Sequence, residues 1–452
     1  MKNNQVKDIF RAYDIRGIFP DQINESIALK VSNATAHFFL AKKIVVGLDV
    51  RNSSPELANK VIEGATLAGS DVLFIGHTTT PLFYFAVKEL GADAGIMVTA
   101  SHNPKEYNGL KIVGPGASHI GLDSGLKNIK VMSGGPLFEA SVSGMIYEED
   151  DIKNKYIDFL FAESKGSARK LKLVIDAGNG SAAIVLKPLL EKLKMEYEPL
   201  FFNIDGSFPG RGPNPDLPEA TQILSNKVKE LNADIGIAFD GDADRVIFVD
   251  EKGKVISPQF ILALLWQSSG SKIKAVYDLR FSKMVRDLIG QAGFKSRVGH
   301  SYMYQVMKER DADIGAETSG HFFFKEMAFS ESAILAMIMV INALSQSDKS
   351  LSNLIEPFLG THYSGEIDIN IGSKEEGFQE KLFKQLKEKY KDEVLEELDG
   401  LTIEHWLNQN DPNRWWFNVR VSNTEPILRL VVEAGDDNLM NDKIEEIKKA
   451  VS

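Results

Sequence analysis

The sequence predicts a chain of several α/β domains that ends in a smaller α+β domain. Its 452 residues exceed what one ordinary hydrophobic core accommodates, which indicates three or four domains. Up to about residue 330, short β-rich runs alternate with amphipathic runs: Ile44–Leu48 precedes Pro55–Leu67, and Leu171–Ile175 precedes Ala182–Leu193. This alternation is typical of α/β units with mostly parallel sheets.

The C-terminal part has a different order of elements. A charged helical stretch lies near Lys374–Tyr390, and a final helix is expected from about Asn438 to Ala450. The β-like runs here are Gly365–Ile371, Trp415–Arg420 and Ile427–Val432. Strands and helices that do not alternate regularly predict a small α+β domain.

Changes in pattern divide the chain into four predicted domains. The boundaries fall near Glu148–Lys153, Glu251–Ser257 and Gly360–Gly365, which gives domains at residues 1–150, 151–253, 254–361 and 362–452. One stretch, Pro209–Pro218, cannot form regular structure, because proline removes backbone donors and glycine costs chain entropy. We expect this loop near an interdomain surface.

A short motif occurs three times in the α/β part. The copies are Ala92–Gly95, Ala233–Gly236 and Ala312–Gly315. Each opens a predicted strand that runs into a polar loop, and Ser101, Asp242 and His321 all fall six residues after the last glycine of their copy. Open α/β sheets bind ligands at the carboxyl ends of strands, so the repeat predicts a shared site.

Charge and composition restrict the class of partner. A net charge of −11 argues against a nucleic-acid-binding surface but permits a local basic pocket for an anionic substrate. The absence of cysteine excludes disulfides and thiolate chemistry. The longest apolar stretch, Ala333–Ile341, is too short to span a membrane and is interpreted as a buried helix. We expect a cytoplasmic protein, monomeric or homodimeric, that binds neither nucleic acid nor membrane.

Two polar loops carry the strongest chemical signal. In Asp240–Arg245, three carboxylates alternate on a glycine-containing turn, which suits a hard cation such as Mg²⁺. A calcium-binding helix–loop–helix is disfavoured because Arg245 stands where that motif needs glycine, and a solvated acidic turn is the structural alternative. In Thr99–Pro104, Ser101 offers an exposed hydroxyl nucleophile, with His102 beside it and Lys111 following as a cation or proton relay.

Other readings of these residues remain open at this point. A lone serine is usually a turn or cap residue, and a Ser-His-Asp hydrolase is disfavoured because the Gly-x-Ser-x-Gly elbow is missing. Near the C-terminus, Arg420–Pro426 combines a guanidinium, hydroxyls and turn amides, with Arg429 beyond, and forms either an anion cradle or a polar hairpin loop.

The motifs together resemble the α-D-phosphohexomutase family, in the right order and over nearly the whole chain. The matching segments are Phe10–Gly17, Thr99–Pro104, Asp240–Arg245, Gly315–His321 and Arg420–Pro426. Within the family the chain is most similar to the bacterial phosphomannomutase/phosphoglucomutase branch, on the Glu-Thr-Ser-Gly-His and Ser-Asn-Thr-Glu-Pro forms of the last two loops.

The resemblance implies four domains around a central cleft, three of which share one mixed-sheet α/β topology. It implies reversible phosphoryl transfer between the 1- and 6-positions of mannose and glucose phosphates, through a phosphorylated Ser101 and a hexose 1,6-bisphosphate. Its implied Mg²⁺ ligands are Ser101, Asp240, Asp242 and Asp244. Its implied catalytic side chains around Ser101 are Arg16, Lys111, His102 and His321. Its implied substrate residues are Tyr13, Arg245, Arg280, Gly299, His300, Glu317, Ser319, Arg420, Ser422, Asn423, Thr424 and Arg429.

Two positions depart from the family pattern. Tyr304 stands where the family often has lysine, which questions a cationic contact from that loop. Ala243 replaces a commoner glycine, which should matter little if its φ is negative. The competing functions are a phosphoglucosamine mutase, a serine-dependent sugar phosphatase, and a sugar-phosphate-binding regulator without turnover.

Overall fold

A computed structural model describes residues 9–166, 169–372, 377–422 and 426–451. Four β-sheets follow one another along this part of the chain, one in each of four structural units. The first three units combine a mixed sheet with helices, and the fourth has an antiparallel sheet with helices. This confirms the predicted class, three α/β units followed by a smaller α+β unit.

The first unit is built on a seven-stranded sheet. Its strands are β1 (Ile15–Ile18), β2 (Lys43–Leu48), β3 (Asp71–His77), β4 (Ala94–Val98), β5 (Tyr107–Gly114), β6 (Ser118–His119) and β7 (Ile146–Glu148). Its helices are α1 (Glu25–Phe38), α2 (Ser54–Leu67), α3 (Thr80–Glu89) and α4 (Leu126–Ser133). The strand order is β1-β5-β4-β2-β3-β7, with β6 beside β5. Helices α1 and α2 pack so closely that a Cβ on Gly64 would lie 2.2 Å from the Leu29 carbonyl oxygen.

The second unit has a five-stranded sheet. Its elements are α5 (Ile152–Glu163), β8 (Leu173–Asp176), α6 (Ala182–Leu193), β9 (Tyr197–Leu200), α7 (Pro218–Leu231), β10 (Ile235–Phe239), β11 (Val246–Asp250) and β12 (Val255–Ile256). The strand order is β12-β11-β10-β8-β9. The predicted loop Pro209–Pro218 is irregular up to the start of α7. It lies at the junction with the first unit, where a Cβ on Gly241 would contact both Pro213 and the Ser101 carbonyl oxygen.

The third unit also has a five-stranded sheet. Its elements are α8 (Pro258–Ser268), β13 (Ala275–Asp278), α9 (Lys283–Ile289), β14 (Gly293–Ser296), α10 (His300–Arg310), β15 (Ile314–Ala316), β16 (Phe322–Phe324), β17 (Ser330–Glu331), α11 (Ala333–Ser345) and α12 (Leu351–Ile355). The strand order is β14-β13-β15-β16-β17. Helix α11 is the predicted buried helix, and no described helix is long and apolar enough to cross a membrane.

The fourth unit is the small α+β unit. Its elements are β18 (His362–Asn370), α13 (Phe378–Lys389), β19 (Val394–Glu396), β20 (Leu401–His405), β21 (Trp415–Val421), β22 (Ile427–Ala434) and α14 (Asp437–Val451). All neighbouring strands pair antiparallel in the order β18-β22-β21-β20-β19. The predicted strands and both predicted helices are present, whereas β19 and β20 were not predicted.

The sequence motif that occurs three times marks the same structural feature in each of the three α/β units. Its copies begin β4, β10 and β15, and each of these strands pairs antiparallel with the next strand in the chain. Antiparallel neighbours need only a short turn, whereas parallel ones need a long crossover. The sheets are therefore mixed rather than mostly parallel, and the turn of each pair is the polar loop that the sequence singled out.

A buried carboxylate joins the fourth unit to the third. Glu433 on β22 accepts hydrogen bonds from Ser282 Oγ at 2.6 Å and from the Lys283 amide at 2.7 Å, both at the start of α9. It also accepts from the Thr361 hydroxyl and from the indole of Trp416. Because four donors satisfy this fully buried group, it is a fixed point in the contact between the two units.

We predict that Glu433→Gln destabilises the fourth unit by about 2 kcal/mol, because a neutral amide accepts hydrogen bonds more weakly than a carboxylate and brings donors of its own. Three of the four tryptophans, Trp406, Trp415 and Trp416, belong to this unit. Tryptophan fluorescence during thermal unfolding should therefore show a transition at a lower temperature in the variant than in the wild type. Glu198→Gln, on the exposed side of β9, is the control, and equal midpoints for the two variants would contradict the prediction.

Candidate active site

A cavity of about 1020 Å³ lies where the four units meet, and all four contribute to its lining. This is the central cleft that the family resemblance implied. The predicted site residues that line it are Tyr13, Arg16, His102, Lys111, Asp244, Arg245, Arg280, His300, Glu317, Ser319, His321, Arg420, Ser422 and Arg429. Ser101, Asp240, Asp242 and Gly299 are buried next to these residues. The predicted Asn423 and Thr424 lie outside the described residues.

The structure brings the two strongest motifs into contact. Ser101 Oγ lies 2.8 Å from Asp240 Oδ2 and 3.3 Å from Asp244 Oδ1. His102 Nδ1 lies 3.3 Å from the same hydroxyl. The expectation of an exposed serine is wrong: Ser101 is fully buried, since the Asp240–Arg245 loop of the second unit packs over it. Its φ of +50° is strained for a non-glycine residue and aims the side chain at the carboxylates.

The three aspartates form a buried cluster in which the pKa values of Asp240 and Asp244 shift in opposite directions. Burial and the adjacent Asp244 and Asp242 raise the pKa of Asp240 well above its usual value. Burial would also raise the pKa of Asp244, but the charges of Lys111 and His321 hold it well below its usual value. Lys111 donates to Asp244 and lies 3.4 Å from Asp242 Oδ2. Lys111 and His321 both face Asp244, whereas Asp240 has no ion pair among the described residues, so a further cation would favour the charged form of Asp240.

The cluster fits a divalent cation. Each of Asp240, Asp242 and Asp244 offers one oxygen, and these atoms lie within 4.8 Å of one another. Asp242 Oδ2 accepts from Thr80 at 2.6 Å and from Thr99 at 3.1 Å, whereas its Oδ1 is buried without a hydrogen-bond partner. A buried carboxylate oxygen left unpaired is costly, and a hard cation would satisfy it.

Sequence reasoning missed Arg51, which holds the serine loop in place. Its fully buried guanidinium donates to Asp49 and to four backbone carbonyl oxygens of the loop. Those carbonyls belong to Ser101 and Asn103 at 2.7 Å each, Pro104 at 2.7 Å and Tyr107 at 3.0 Å. A signal was present: Asp49 and Arg51 directly follow β2, which is parallel to β4, so their edge of the sheet is also that of Ser101.

The loop of the third unit places a carboxylate and an imidazolium opposite the serine. Glu317 Oε1 accepts from the Gly299 amide at 2.7 Å, and its Oε2 lies 3.1 Å from His321 Nδ1. Although burial opposes the effect, Asp244 raises the pKa of His321 to about 9. A backbone β-bridge joins Arg245 to His321, and it connects the Asp240–Arg245 loop to the Gly315–His321 loop.

The N-terminal motif supplies a second cation near the serine loop. Arg16 donates to Asn103 Oδ1 at 2.6 Å and pairs with Asp14 at 2.8 Å. Burial, together with the charges of Arg245 and Arg16, lowers the pKa of His102 well below its usual value. His102 is therefore a neutral imidazole between cations. Across the cleft, the ring of Tyr13 meets the His300 ring edge-on, with centroids 4.4 Å apart.

The far end of the cleft gathers three arginines around one carboxylate that the sequence did not single out. Glu366 Oε2 lies 2.9 Å from Arg280 and 3.5 Å from Arg420, and its Oε1 lies 3.3 Å from Arg429. Arg280 comes from the third unit and also pairs with Asp278. Arg420 also faces Asp399, and Arg429 also faces Asp368, so each guanidinium has carboxylate partners of its own. Guanidinium donors gathered at one place suit an anion. No local motif marks Glu366, because its partners are distant in sequence.

The structure bears on both departures from the family pattern. Ala243 was expected to matter little if its φ were negative, but its φ is +60°. A left-handed backbone conformation costs conformational energy at alanine, so the replacement of glycine is not neutral here. Ala243 lies between two of the clustered aspartates, and its strained backbone is part of the turn that aims them inward. Tyr304 is buried and stacks on His119, with ring centroids 5.0 Å apart, so an aromatic contact occupies the place of the expected lysine.

Comparisons with known proteins agree with this geometry. Models of the four domains of the phosphoglucomutase/phosphomannomutase family match residues 7–130, 153–253, 258–360 and 376–450. A phosphomannomutase from Methanocaldococcus jannaschii is 37% identical over 98% of this chain and 97% of its own length. An Escherichia coli phosphomannomutase is 35% identical over 97% of this chain and 98% of its own length.

A solved structure shows the same likeness. A phosphoglucomutase/phosphomannomutase family protein from Burkholderia thailandensis superimposes with a TM-score of 0.86 at 28% identity, over 99% of this chain and 97% of the other. A buried serine among carboxylates, facing a cationic cleft, defines a class of phosphoryl-transfer enzyme. The chain belongs to the phosphoglucomutase/phosphomannomutase family of α-D-phosphohexomutases. It is an intramolecular phosphotransferase that acts on hexose phosphates.

We predict that Arg51→Lys lowers turnover by at least about 100-fold, because an ammonium has three donors and leaves loop carbonyls unpaired, which displaces Ser101. Steady-state kinetics with a hexose phosphate measures the loss. Arg169→Lys, at a surface ion pair with Asp234, is the matched control. If the Arg51→Lys enzyme turned over as fast as this control, Arg51 would not be what positions the loop.

Proposed function

We propose that Ser101 is the phosphoryl carrier of this mutase and that its substrates are mannose and glucose phosphates. The observation that carries the proposal is the 2.8 Å contact of Ser101 Oγ with the carboxylate cluster, beside Lys111. In the resting enzyme Ser101 carries a phosphoryl group. A substrate hydroxyl attacks phosphorus, the bond from phosphorus to Oγ breaks, and a 1,6-bisphosphate results.

The carboxylate cluster is proposed to hold Mg²⁺ through Asp240, Asp242, Asp244 and a phosphoserine oxygen. Mg²⁺ bound there would neutralise charge that develops on the transferring group. Lys111 and Arg16 line the cleft near Ser101 Oγ. There they would stabilise the equatorial oxygens of the phosphoryl group during transfer. His321, protonated at neutral pH, holds a proton near Ser101, and neutral His102 is placed to accept one.

The arginine cluster is proposed to bind the phosphate that does not react. Arg420 and Arg429 face the cleft together with Ser422, and the adjoining Asn423 and Thr424 would complete this site. Tyr13, Arg245, Arg280, Gly299 and His300 line the path between the two phosphates. Glu317 and Ser319 would accept hydrogen bonds from sugar hydroxyls. Two separate anion sites are what exchange of the 1- and 6-phosphates requires.

The bisphosphate must turn end for end without leaving the cleft, so we propose that the fourth unit opens and closes. The chain enters this unit near Gly360–Gly365, and Gly365 has a φ of +70° with no atom within 4 Å of a Cβ placed on it. That freedom suits a hinge. The contacts of Glu366 with Arg280 and of Asp399 with the Val298 amide close the cleft in this structure.

A coupled assay tests the proposed substrates. The purified protein would be given Mg²⁺, a trace of glucose 1,6-bisphosphate, and mannose 1-phosphate, glucose 1-phosphate or glucosamine 1-phosphate in separate reactions. Conversion of the first two to 6-phosphates supports the proposal, and the ratio of kcat/KM ranks them. Exclusive conversion of the glucosamine phosphate, or steady release of inorganic phosphate, would instead identify a phosphoglucosamine mutase or a phosphatase.

We predict that Ser101→Ala retains less than about 1% of wild-type turnover, because it removes the hydroxyl 2.8 Å from Asp240. The other described hydroxyls on the cluster, those of Thr80 and Thr99, contact Asp242 instead. The same coupled assay measures this. Ser164→Ala, at the end of α5 and outside the cleft, controls for a neutral serine substitution. Residual turnover above a few per cent would exclude Ser101 as the carrier.

A further inference from the structure

A pair of buried histidines connects the first and third units at the wall of the cleft. His119 ends β6, and His300 begins α10. Their Nδ1 atoms lie 2.8 Å apart, which is a hydrogen-bond distance. One of the two Nδ1 atoms must therefore carry a proton, and the other must offer a lone pair. His119 belongs to none of the sequence motifs discussed above.

Both rings are neutral, so each has a single N–H group. Burial and the charge of Lys111 lower the pKa of His119 to about 3. Burial and the neighbouring His119 also lower the pKa of His300 well below its usual value. A neutral imidazole has two tautomers, and in each the nitrogen without hydrogen is an acceptor. The 2.8 Å contact couples the tautomer of one ring to that of the other.

Glu331 favours one of the two coupled tautomer pairs of His119 and His300. Its Oε2 lies 3.7 Å from His119 Nε2 and is buried without a hydrogen-bond partner, while its Oε1 lies 3.9 Å from His300 Nδ1 and accepts from Tyr84 at 3.0 Å. An N–H is favoured next to carboxylate oxygens, and a lone pair is not. The proton of His119 therefore belongs on Nε2, where Ser330 Oγ at 2.9 Å also accepts it.

With that proton on Nε2, His119 Nδ1 accepts from His300 Nδ1–H. His300 then keeps its lone pair on Nε2. His300 lines the cleft, and the hydrogen bond that the structure shows for its ring is the one to His119. The Nε2 lone pair is thus left for a ligand.

We propose that His119 is a positioning residue that fixes the tautomer of His300, so that His300 Nε2 accepts a hydrogen bond from a hydroxyl of the bound hexose. This rests on the proposed function in one respect, that the hexose binds in this cleft. Tyr304 stacks on the His119 ring at an interplanar angle of 24° and holds it in place. The aromatic side chain at this departure from the family pattern therefore acts on sugar recognition through His119.

The first test is spectroscopic and needs no substrate. Long-range proton–nitrogen NMR of protein labelled with ¹⁵N-histidine distinguishes the two tautomers of each ring, and loss of one signal in His300→Gln assigns it. We expect the Nδ1–H tautomer for His300 in the wild type. His119→Phe, which keeps the stack on Tyr304, should give a mixture of tautomers, and His119→Asn, whose carbonyl oxygen can stand in for Nδ1, should restore the single form.

The matched control is His37→Phe, an exposed ring stacked on Phe138 far from the cleft, which should leave the His300 signal unchanged. An Nε2–H tautomer for His300 in the wild type would overturn the proposal. So would a His300 signal that His119→Phe leaves unaltered. Because this measurement is made on the ligand-free protein, its failure is distinguishable from failure of the mutase mechanism.

The second test is kinetic. Singly deoxygenated hexose phosphates would be compared with the parent sugar in wild type, His119→Phe and His119→Asn. We expect one hydroxyl whose removal lowers kcat/KM about tenfold in the wild type and in His119→Asn, but little in His119→Phe, as for one lost hydrogen bond. An equal loss in all three enzymes would mean that His119 does not act on sugar recognition.

Discussion

The burial of three aspartates directly against one serine is the constraint on which the rest of this structure depends. Asp240, Asp242 and Asp244 have almost no contact with solvent, and Ser101 Oγ lies within hydrogen-bond distance of two of them. Carboxylates repel one another in such surroundings unless cations balance them. Lys111 and His321 face Asp244, and the unpaired Asp242 Oδ1 is an acceptor that a further cation would satisfy. A metal ion bound there would reduce the repulsion that remains among the carboxylates.

The three α/β units repeat one local arrangement near this centre, an antiparallel pair of strands joined by a polar turn. In each α/β unit a strand turns back antiparallel, and the three turns, which carry Ser101, the aspartate cluster and Glu317, meet at the cleft. Arg51 then fixes the serine turn through backbone carbonyls, so that the strained φ of Ser101 is maintained. The fourth unit adds Arg420, Arg429 and Glu366 to the cleft, where Arg280 of the third unit joins them, and Glu433 holds the fourth unit to the third. The proposed hinge at Gly365 would let this arginine cluster move relative to Ser101 and the aspartates.

The sequence predicted the parts of this arrangement that local patterns encode. Strand alternation and the threefold motif predicted the α/β units, and polar loops after buried strands predicted that Ser101 and Asp242 would share one site. The burial of Ser101, the positive φ of Ala243 and the grouping of arginines around Glu366 depend on contacts between residues far apart in the chain, so no local pattern could indicate them. His119 escaped notice for the same reason, since its partners come from α10 and β17.

The most direct test of Ser101 as the phosphoryl carrier is to locate the phosphoryl group on the enzyme. The protein would first be dephosphorylated with excess hexose 6-phosphate and repurified. It would then be incubated with glucose 1,6-bisphosphate and Mg²⁺, quenched, digested and analysed by peptide mass spectrometry, with a second sample treated with a chelator before the bisphosphate is added. We expect one phosphoryl group on Ser101, no transfer in the chelated sample, and loss of the group when excess hexose 6-phosphate is added again. A phosphoryl group on a different residue, or an active enzyme that never carries one, would contradict this expectation.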